Sequence, residues 1–250
     1  MSDVAEYALR LGDDALVLSH RLAQWSASAP EIEEDIALTN IALDLLGQAR
    51  SLLTIAGVRE GQGRDEDDLA YLRAEREFRN LRIVELDNGD FADTIVRQLL
   101  FSAYQLSLYA ELTASTDLDL AAVAGKAVKE VAYHRDHAVK WILRLGDGTQ
   151  ESHARSQAAL ERLWPYRHEL FETDELTARL VDAGVAADPG VLRSTWDPFV
   201  AAVLAQATLT TPEDGRRRPT GGRRGRHGEI LGPMLAEMQW LHRSQPGVRW

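Results

Sequence analysis

Cysteine is missing altogether from the 250 residues. That excludes disulfide scaffolds, Cys-ligated zinc, iron–sulfur clusters and thiol catalysis. Long apolar runs are missing too. The longest charge-free stretch, Pro198 to Pro212, is 15 residues and is interrupted by Gln and Thr. A spanning helix needs about 20 apolar residues, so none is expected. The N-terminal segment, MSDVAEYALRLGDDA, lacks the basic start of a secretion signal. Positive charge is scarce: 28 Lys and Arg against 39 Asp and Glu give a net charge of −11. Such a field repels phosphate, which argues against a nucleic-acid-coating or anionic-membrane-seeking protein. No G-x-S-x-G, P-loop or Rossmann fingerprint is present. The expectation is a soluble, bacterial-type cytoplasmic protein. Its 45% hydrophobic content is enough for a sizeable core at this length.

Proline is absent between Pro30 and Pro165. Proline inside a helix costs roughly 3 kcal/mol, so this gap suits long helices. In 31–56, Ile32, Ile36, Ile41, Leu45 and Leu52 recur at helical spacing, and Glu31, Glu33 and Glu34 sit where a helix N-terminus favours acids. Helices are expected at about 14–27, 31–56, 92–114, 118–144, 150–171, 174–183, 189–208 and 229–244, with turns at Asn88-Gly89-Asp90, Gly146-Asp147-Gly148 and Asp188-Pro189-Gly190. Two helices, a long charged connection over 57–91 and two more helices is the order of a ferritin-like bundle. The expected fold is therefore all-α: one domain over 1–250, a ferritin-like four-helix bundle core with additional C-terminal helices.

Two arginine-rich segments stand out. Residues 212–228, PEDGRRRPTGGRRGRHG, hold six arginines, two acids and five glycines. Such a segment is expected to be a mobile loop, either simply solvated or acting as a flap for phosphate or acid groups. It lacks the interleaved aromatics of a nucleic-acid binder. Arg73, Arg76, Arg79 and Arg82 recur every three residues, on one drifting face if the segment is helical. Glu75, Glu77 and Glu85 neutralise them, or spare guanidinium groups bind a phosphorylated ligand.

A ferritin-like bundle invites a test for a di-metal site, which needs a Glu from each of two helices and a Glu-x-x-His pair from each of the other two. Neither 15–30 nor 94–110 contains a carboxylate. The second expected helix offers Asp44 and Gln48; the fourth offers Lys126, Glu130 and His134 at four-residue steps, a polar stripe with a salt-bridge reading. His20 has no evident acid partner. Trp141, Trp164, Trp196 and Trp240 read as core or interface packing. The chain thus looks like a helical protein without its own active site. The alternative is an active di-iron oxidase or oxygenase with unorthodox ligands such as Asp44, Glu130 and His134.

The stretches LRLGDDALVLSHRLAQW, NIALDLLGQAR, NGDFADTIVRQ, KEVAYHRDHAVKWILRLGDGT and LGPMLAEMQWLHRSQPGVRW resemble the C-subunit family of the bacterial ring-1,2-phenylacetyl-CoA epoxidase, the phenylacetate-CoA oxygenase of aerobic phenylacetate degradation. The resemblance runs from Tyr7 to Trp250. It implies a ferritin-like, non-catalytic subunit of a hetero-oligomeric monooxygenase. The di-iron centre belongs to a homologous A subunit, and this chain has no cofactor of its own. The A subunit's ligand pairs fall on Leu45 and Gln48 and on Val131 and His134, so only His134 survives; the remaining acids fall near His20 and Ser102. The resemblance also implies contact with the CoA part of an acyl-CoA substrate through Glu77, Phe78, Arg79 and Asn80, and through Ala178, Arg179 and Leu180. Further epoxidase subunits are implied as partners.

Overall fold

The computed structural model describes residues 2–216 and 218–247. Met1, Arg217 of the arginine-rich segment and 248–250 lie outside the described residues. Of the described residues 73% are helical and none lies in a strand, as the all-α expectation requires. Eleven α-helices are described, in the order α1 (Asp3–Ala23), α2 (Ile32–Glu60), α3 (Glu66–Tyr71), α4 (Arg82–Glu85), α5 (Phe91–Leu112), α6 (Leu118–Gly146), α7 (Gln150–Leu163), α8 (Arg167–Leu170), α9 (Glu175–Asp182), α10 (Pro189–Gln206) and α11 (Leu231–Ser244). Two long helices, a crossover and two long helices keep the ferritin-like order.

The caps explain most boundaries. Side-chain oxygens of Ser2, Asp90, Asp117, Thr149 and Asp174 accept from backbone N–H groups of the first turns of α1, α5, α6, α7 and α9. At Asp90 and Thr149 the N3 residue returns a bond to the cap, which closes a capping box. The largest departure from expectation is α1, which starts at residue 3 rather than 14. Gly12-Asp13-Asp14 reads locally as a helix start, yet it lies in mid-helix. The expected helix 150–171 is broken at Pro165, where Trp164–Tyr166 forms a 3₁₀ turn between α7 and α8.

The described residues pack as two compact units. The first is formed by Met1–Ser28, Ile32–Asp87 and Gly221–Trp250, within the limits of the described residues. Its base is the α1–α2 pair, which buries Leu9, Leu16, Leu38, Ile41, Leu45 and Leu52. The two helices approach closely at Gly12: a Cβ there would stand 2.9 Å from Leu53 Cδ2. The Ser19 hydroxyl donates to the Ala42 carbonyl at 2.7 Å. By length and apolar content α2 is the one helix among the described residues that would suffice to cross a membrane, contrary to expectation; half of its most apolar window is buried inside the protein.

The second unit is formed by Ala29–Glu31 and Asn88–Thr220. Here α5 is the hub, packed by α6, α7 and α10. Trp196 of α10 is fully buried and donates its indole N–H to the Leu100 carbonyl of α5 at 2.9 Å. Its ring lies 5.9 Å from Trp164 and 5.5 Å from Phe171. Trp141 meets Phe91 edge-on at 4.9 Å. These tryptophans pack as expected, whereas Trp240 is exposed.

Candidate functional site

Burying an ionised carboxylate is costly unless it is paired and hydrogen-bonded. The first unit meets that requirement three times. Asp13 and Asp14 lie next to one another on α1, fully out of solvent. Asp13 accepts two bonds from the Arg73 guanidinium, one of them at 2.9 Å, and a third from the Arg79 backbone N–H at 2.8 Å. Arg73 is itself buried, with its guanidinium 4.2 Å from the centre of the Phe78 ring. Asp14 accepts from the Leu81 N–H at 2.7 Å and from both terminal nitrogens of Arg223, at 2.7 and 3.1 Å. Arg223 also donates to the Arg10 and Arg79 carbonyls, at 2.9 and 2.8 Å. Burial still dominates at Asp14 and pushes its carboxyl up to about 6, although Arg223 and the Leu81 N–H pull it down.

Glu85 is the third buried acid. It accepts from the Asn80 side-chain amide at 3.0 Å and from the Gly228 N–H at 2.6 Å, and meets His227 Nδ1 at 2.7 Å. His227 Nε2 reaches the Phe78 carbonyl at 3.0 Å. Burial by itself lowers the His227 pKa; the Glu85 carboxylate and the Phe78 carbonyl outweigh it and hold the group above its ordinary value. With both ring nitrogens facing acceptors, the imidazolium form suits the site. Arg21 donates to the Glu85 carbonyl at 2.9 Å and pairs with Asp87 at 3.4 Å.

This arrangement revises two expectations. The segment 71–85 is not one helix: Arg73 follows α3, Glu75–Glu77 is a 3₁₀ turn, and an extended stretch leads to α4. The four arginines therefore do not share a face. Arg73 is neutralised by Asp13 and Arg79 by Glu6 at 3.4 Å, acids not foreseen, whereas Arg82 meets the foreseen Glu85 at 3.6 Å. Nor is 212–228 solvated throughout. Its second half is tied to α1 and the crossover by Arg223 and His227, and Gly222 and Gly225 are buried. Gly225, at φ +70°, sits where a Cβ would come 2.1 Å from the Arg76 carbonyl oxygen. The partners that decide the matter are far away in sequence, so composition could not supply them.

The residues expected to touch CoA divide sharply. Phe78 and Asn80 are fully buried, Asn80 holding Glu85 and the Leu81 carbonyl. Glu77 is exposed and Arg79 half-exposed. On α9, Leu180 is buried, Ala178 intermediate and Arg179 exposed. Of the ligand positions carried over from the resemblance, Leu45 and Val131 are fully buried hydrocarbon, and Gln48 and His134 are buried. Ser102 donates to the Gln98 carbonyl of its own helix. His20 lies beside a 260 Å³ cavity of the first unit, where burial depresses its pKa against the pull of Glu237. The stripe on α6 contains an ion pair, Lys126 to Glu130 at 3.7 Å. No group of three or more His, Asp or Glu side chains that could hold a metal ion occurs among the described residues. The acids at mid-helix in α1, Asp13 and Asp14, were missed because the helix was expected to begin with them. The available signal was two adjacent acids inside the otherwise apolar LRLGDDALVLS.

The family of phenylacetic acid catabolic proteins matches residues 1–250. The C-subunit of the 1,2-phenylacetyl-CoA epoxidase of Escherichia coli (strain K12) is 49% identical over 250 residues, covering 100% of each chain.

Proposed function

Since the chain belongs to the family of phenylacetic acid catabolic proteins, we propose that it is a non-catalytic subunit of a multicomponent phenylacetyl-CoA epoxidase, a cytoplasmic complex in which it scaffolds a homologous di-iron catalytic subunit. The observation that carries this reading is the state of the carboxylates. Leu45 and Val131, at two ligand positions implied by the resemblance, are hydrocarbon and fully buried. The buried acids of α1 are engaged by guanidinium and backbone N–H groups. These residues do not fit a di-iron centre, which needs four carboxylates and two imidazoles turned to one point. An acid held by arginine supports a fold rather than a metal.

Co-expression with the homologous catalytic subunit, followed by size-exclusion chromatography at micromolar concentration, tests the proposal. One complex is the expected result; two separate species overturn it. Iron analysis of the isolated chain addresses the alternative ligands Asp44, Glu130 and His134, and about two irons per chain would overturn the non-catalytic reading. The proposal also gives the chain a share in seating the CoA end of the substrate. Arg79 is the group suited to a phosphate, with Glu77 accessible beside it, while Phe78 and Asn80 act from the core beneath. A charge-assisted hydrogen bond is worth roughly 1.5–3 kcal/mol. Arg79→Ala is expected to weaken acyl-CoA binding by the assembled complex about tenfold, by calorimetry, with assembly intact.

A further inference from the structure

The arginines of 212–228 that do not anchor the segment have no use in the reading above. From Gly221 to Gly228 the chain forms a strap against the 76–81 stretch of the same unit. Arg223 and His227 turn inward and fasten it, Arg223 to Asp14 and the Arg79 carbonyl, His227 to Glu85 and the Phe78 carbonyl. Between these two anchors, Arg224 and Arg226 are exposed. Gly225 separates them and brings them to the 76–81 stretch. Its positive φ and missing side chain let the backbone approach until a Cβ would stand 2.1 Å from the Arg76 carbonyl oxygen and 3.0 Å from Arg79 Nη1. Arg224 and Arg226 are each one Cα step, about 3.8 Å, from that point. Arg76 is exposed as well, and the Arg79 guanidinium is steadied by the Arg76 and Phe78 carbonyls, at 2.7 and 3.0 Å. Among the described residues no acid pairs with Arg76, Arg224 or Arg226. The nearby acids are engaged elsewhere or shared. Glu77 accepts from the Ala74 N–H at 2.7 Å, and Glu75 reaches to Gly232, where a Cβ would stand 2.6 Å from its carboxylate. Glu6 divides itself between Arg10 and Arg79, at 3.3 and 3.4 Å. Arg76, Arg79, Arg224 and Arg226 thus gather a local positive excess in a chain of net charge −11.

We infer that Arg224 and Arg226 of the strap join Arg76 and Arg79 in one phosphate clamp, which takes the 3′-phosphate and the diphosphate of coenzyme A. The inference rests on the reading that this chain seats the CoA end of the substrate, and it gives the larger share of that task to the strap. A guanidinium group suits phosphate because it presents a planar fork of donors to two oxygens at once. The compact grouping fits a ligand whose phosphates lie close together, whereas the acidic remainder of the chain repels an extended polyanion. The inward side chains supply the order. Arg223 and His227 hold the carbonyls of Arg79 and Phe78, so the strap and the 76–81 stretch are fixed to each other before a ligand arrives. A clamp already in place spends little of its binding energy on ordering itself.

The test is calorimetric titration of the purified full-length chain with coenzyme A, with 3′-dephospho-coenzyme A and with pantetheine, which carries no phosphate. All four arginines belong to this chain, so saturable binding of coenzyme A is expected without the catalytic subunit. Affinity is expected to fall at least tenfold for pantetheine, with 3′-dephospho-coenzyme A between the two. Arg224→Ser combined with Arg226→Ser is expected to weaken coenzyme A at least tenfold, with an unchanged circular-dichroism spectrum and melting curve, because both side chains are exposed. Pantetheine binding is expected to be the same in the variant and the wild type. A wild-type chain that binds coenzyme A no more tightly than pantetheine overturns the inference, as does a double variant with wild-type affinity for coenzyme A. The underlying reading is tested separately by Arg79→Ala in the assembled complex. If Arg79→Ala weakens acyl-CoA binding there and the strap variant does not, the clamp falls while CoA seating by this chain stands. If the strap variant weakens binding and Arg79→Ala does not, the strap alone holds the phosphates and the four-arginine clamp is overturned.

Discussion

Removing the Arg223 guanidinium is the most direct challenge to the buried charge network. Arg223→Met keeps the apolar stem and deletes four hydrogen bonds, two to Asp14 and two to the Arg10 and Arg79 carbonyls. Asp14 then stays buried with only the Leu81 N–H of its described partners. Breaking a buried pair from one side costs about 3–5 kcal/mol. The Arg223 side chain is 17% exposed, which points to the lower end. For a chain of this size about 3 kcal/mol lowers Tm by roughly 6–12 °C. The pH dependence is the sharper part. The Asp14 carboxyl rises from 3.8 to about 6 on folding, so the folded state binds its proton more tightly than the unfolded state. Its contribution to stability is therefore full below pH 3.8 and is lost as pH rises through about 6, a loss of roughly 3 kcal/mol. Without Arg223 the folded carboxyl titrates higher still. The deficit of the variant should then be about 1 kcal/mol at pH 5, where Asp14 is mostly neutral and only hydrogen bonds are missing, and should grow toward pH 8. Urea unfolding at pH 5, 6, 7 and 8 measures it. A deficit that is flat or shrinks with rising pH refutes the argument, as does one below about 1 kcal/mol at pH 7.5. Asp14→Asn combined with Arg223→Met should recover part of the loss at pH 8 and little at pH 5.

The other expectations follow from the same packing. Glu85→Gln removes the negative partner of His227; in an NMR titration the imidazole pKa should fall, and the stability that wild type holds below pH 6.5 and loses as pH rises through the raised folded value should diminish. Trp196→Ala empties the centre of the second unit and should cost about 3–5 kcal/mol in chemical denaturation, whereas Trp196→Phe, which mainly loses the bond to the Leu100 carbonyl, should cost nearer 1 kcal/mol. Gly57→Ala forces a Cβ to 2.3 Å from the Arg64 carbonyl oxygen, so a drop of about 1–3 kcal/mol is expected; a melting curve equal to wild type would show that the loop after α2 yields freely.

Proline placement, apolar periodicity and turn residues were enough to place most helices, and the all-α class and the pair–crossover–pair order followed from them. The caps at Asp90, Asp117 and Thr149 act within three residues of themselves, so these boundaries too are local to the sequence.

What only the tertiary structure decided is the fate of the charges. Asp13 and Asp14 looked like a helix start, because exposed acids favour first turns. They lie in mid-helix because Arg73 and Arg223, 60 and 209 residues away, make their burial tolerable. The arginine-rich segment looked solvated by composition, yet two of its side chains, Arg223 and His227, satisfy buried carboxylates. Phe78 and Asn80 sit in a polar, accessible-looking string and are core. A helix cap is a bond to a neighbour in sequence, and its partner can be read from the next turn. A buried ion pair is a bond across the fold, and its partner exists only once the chain has closed.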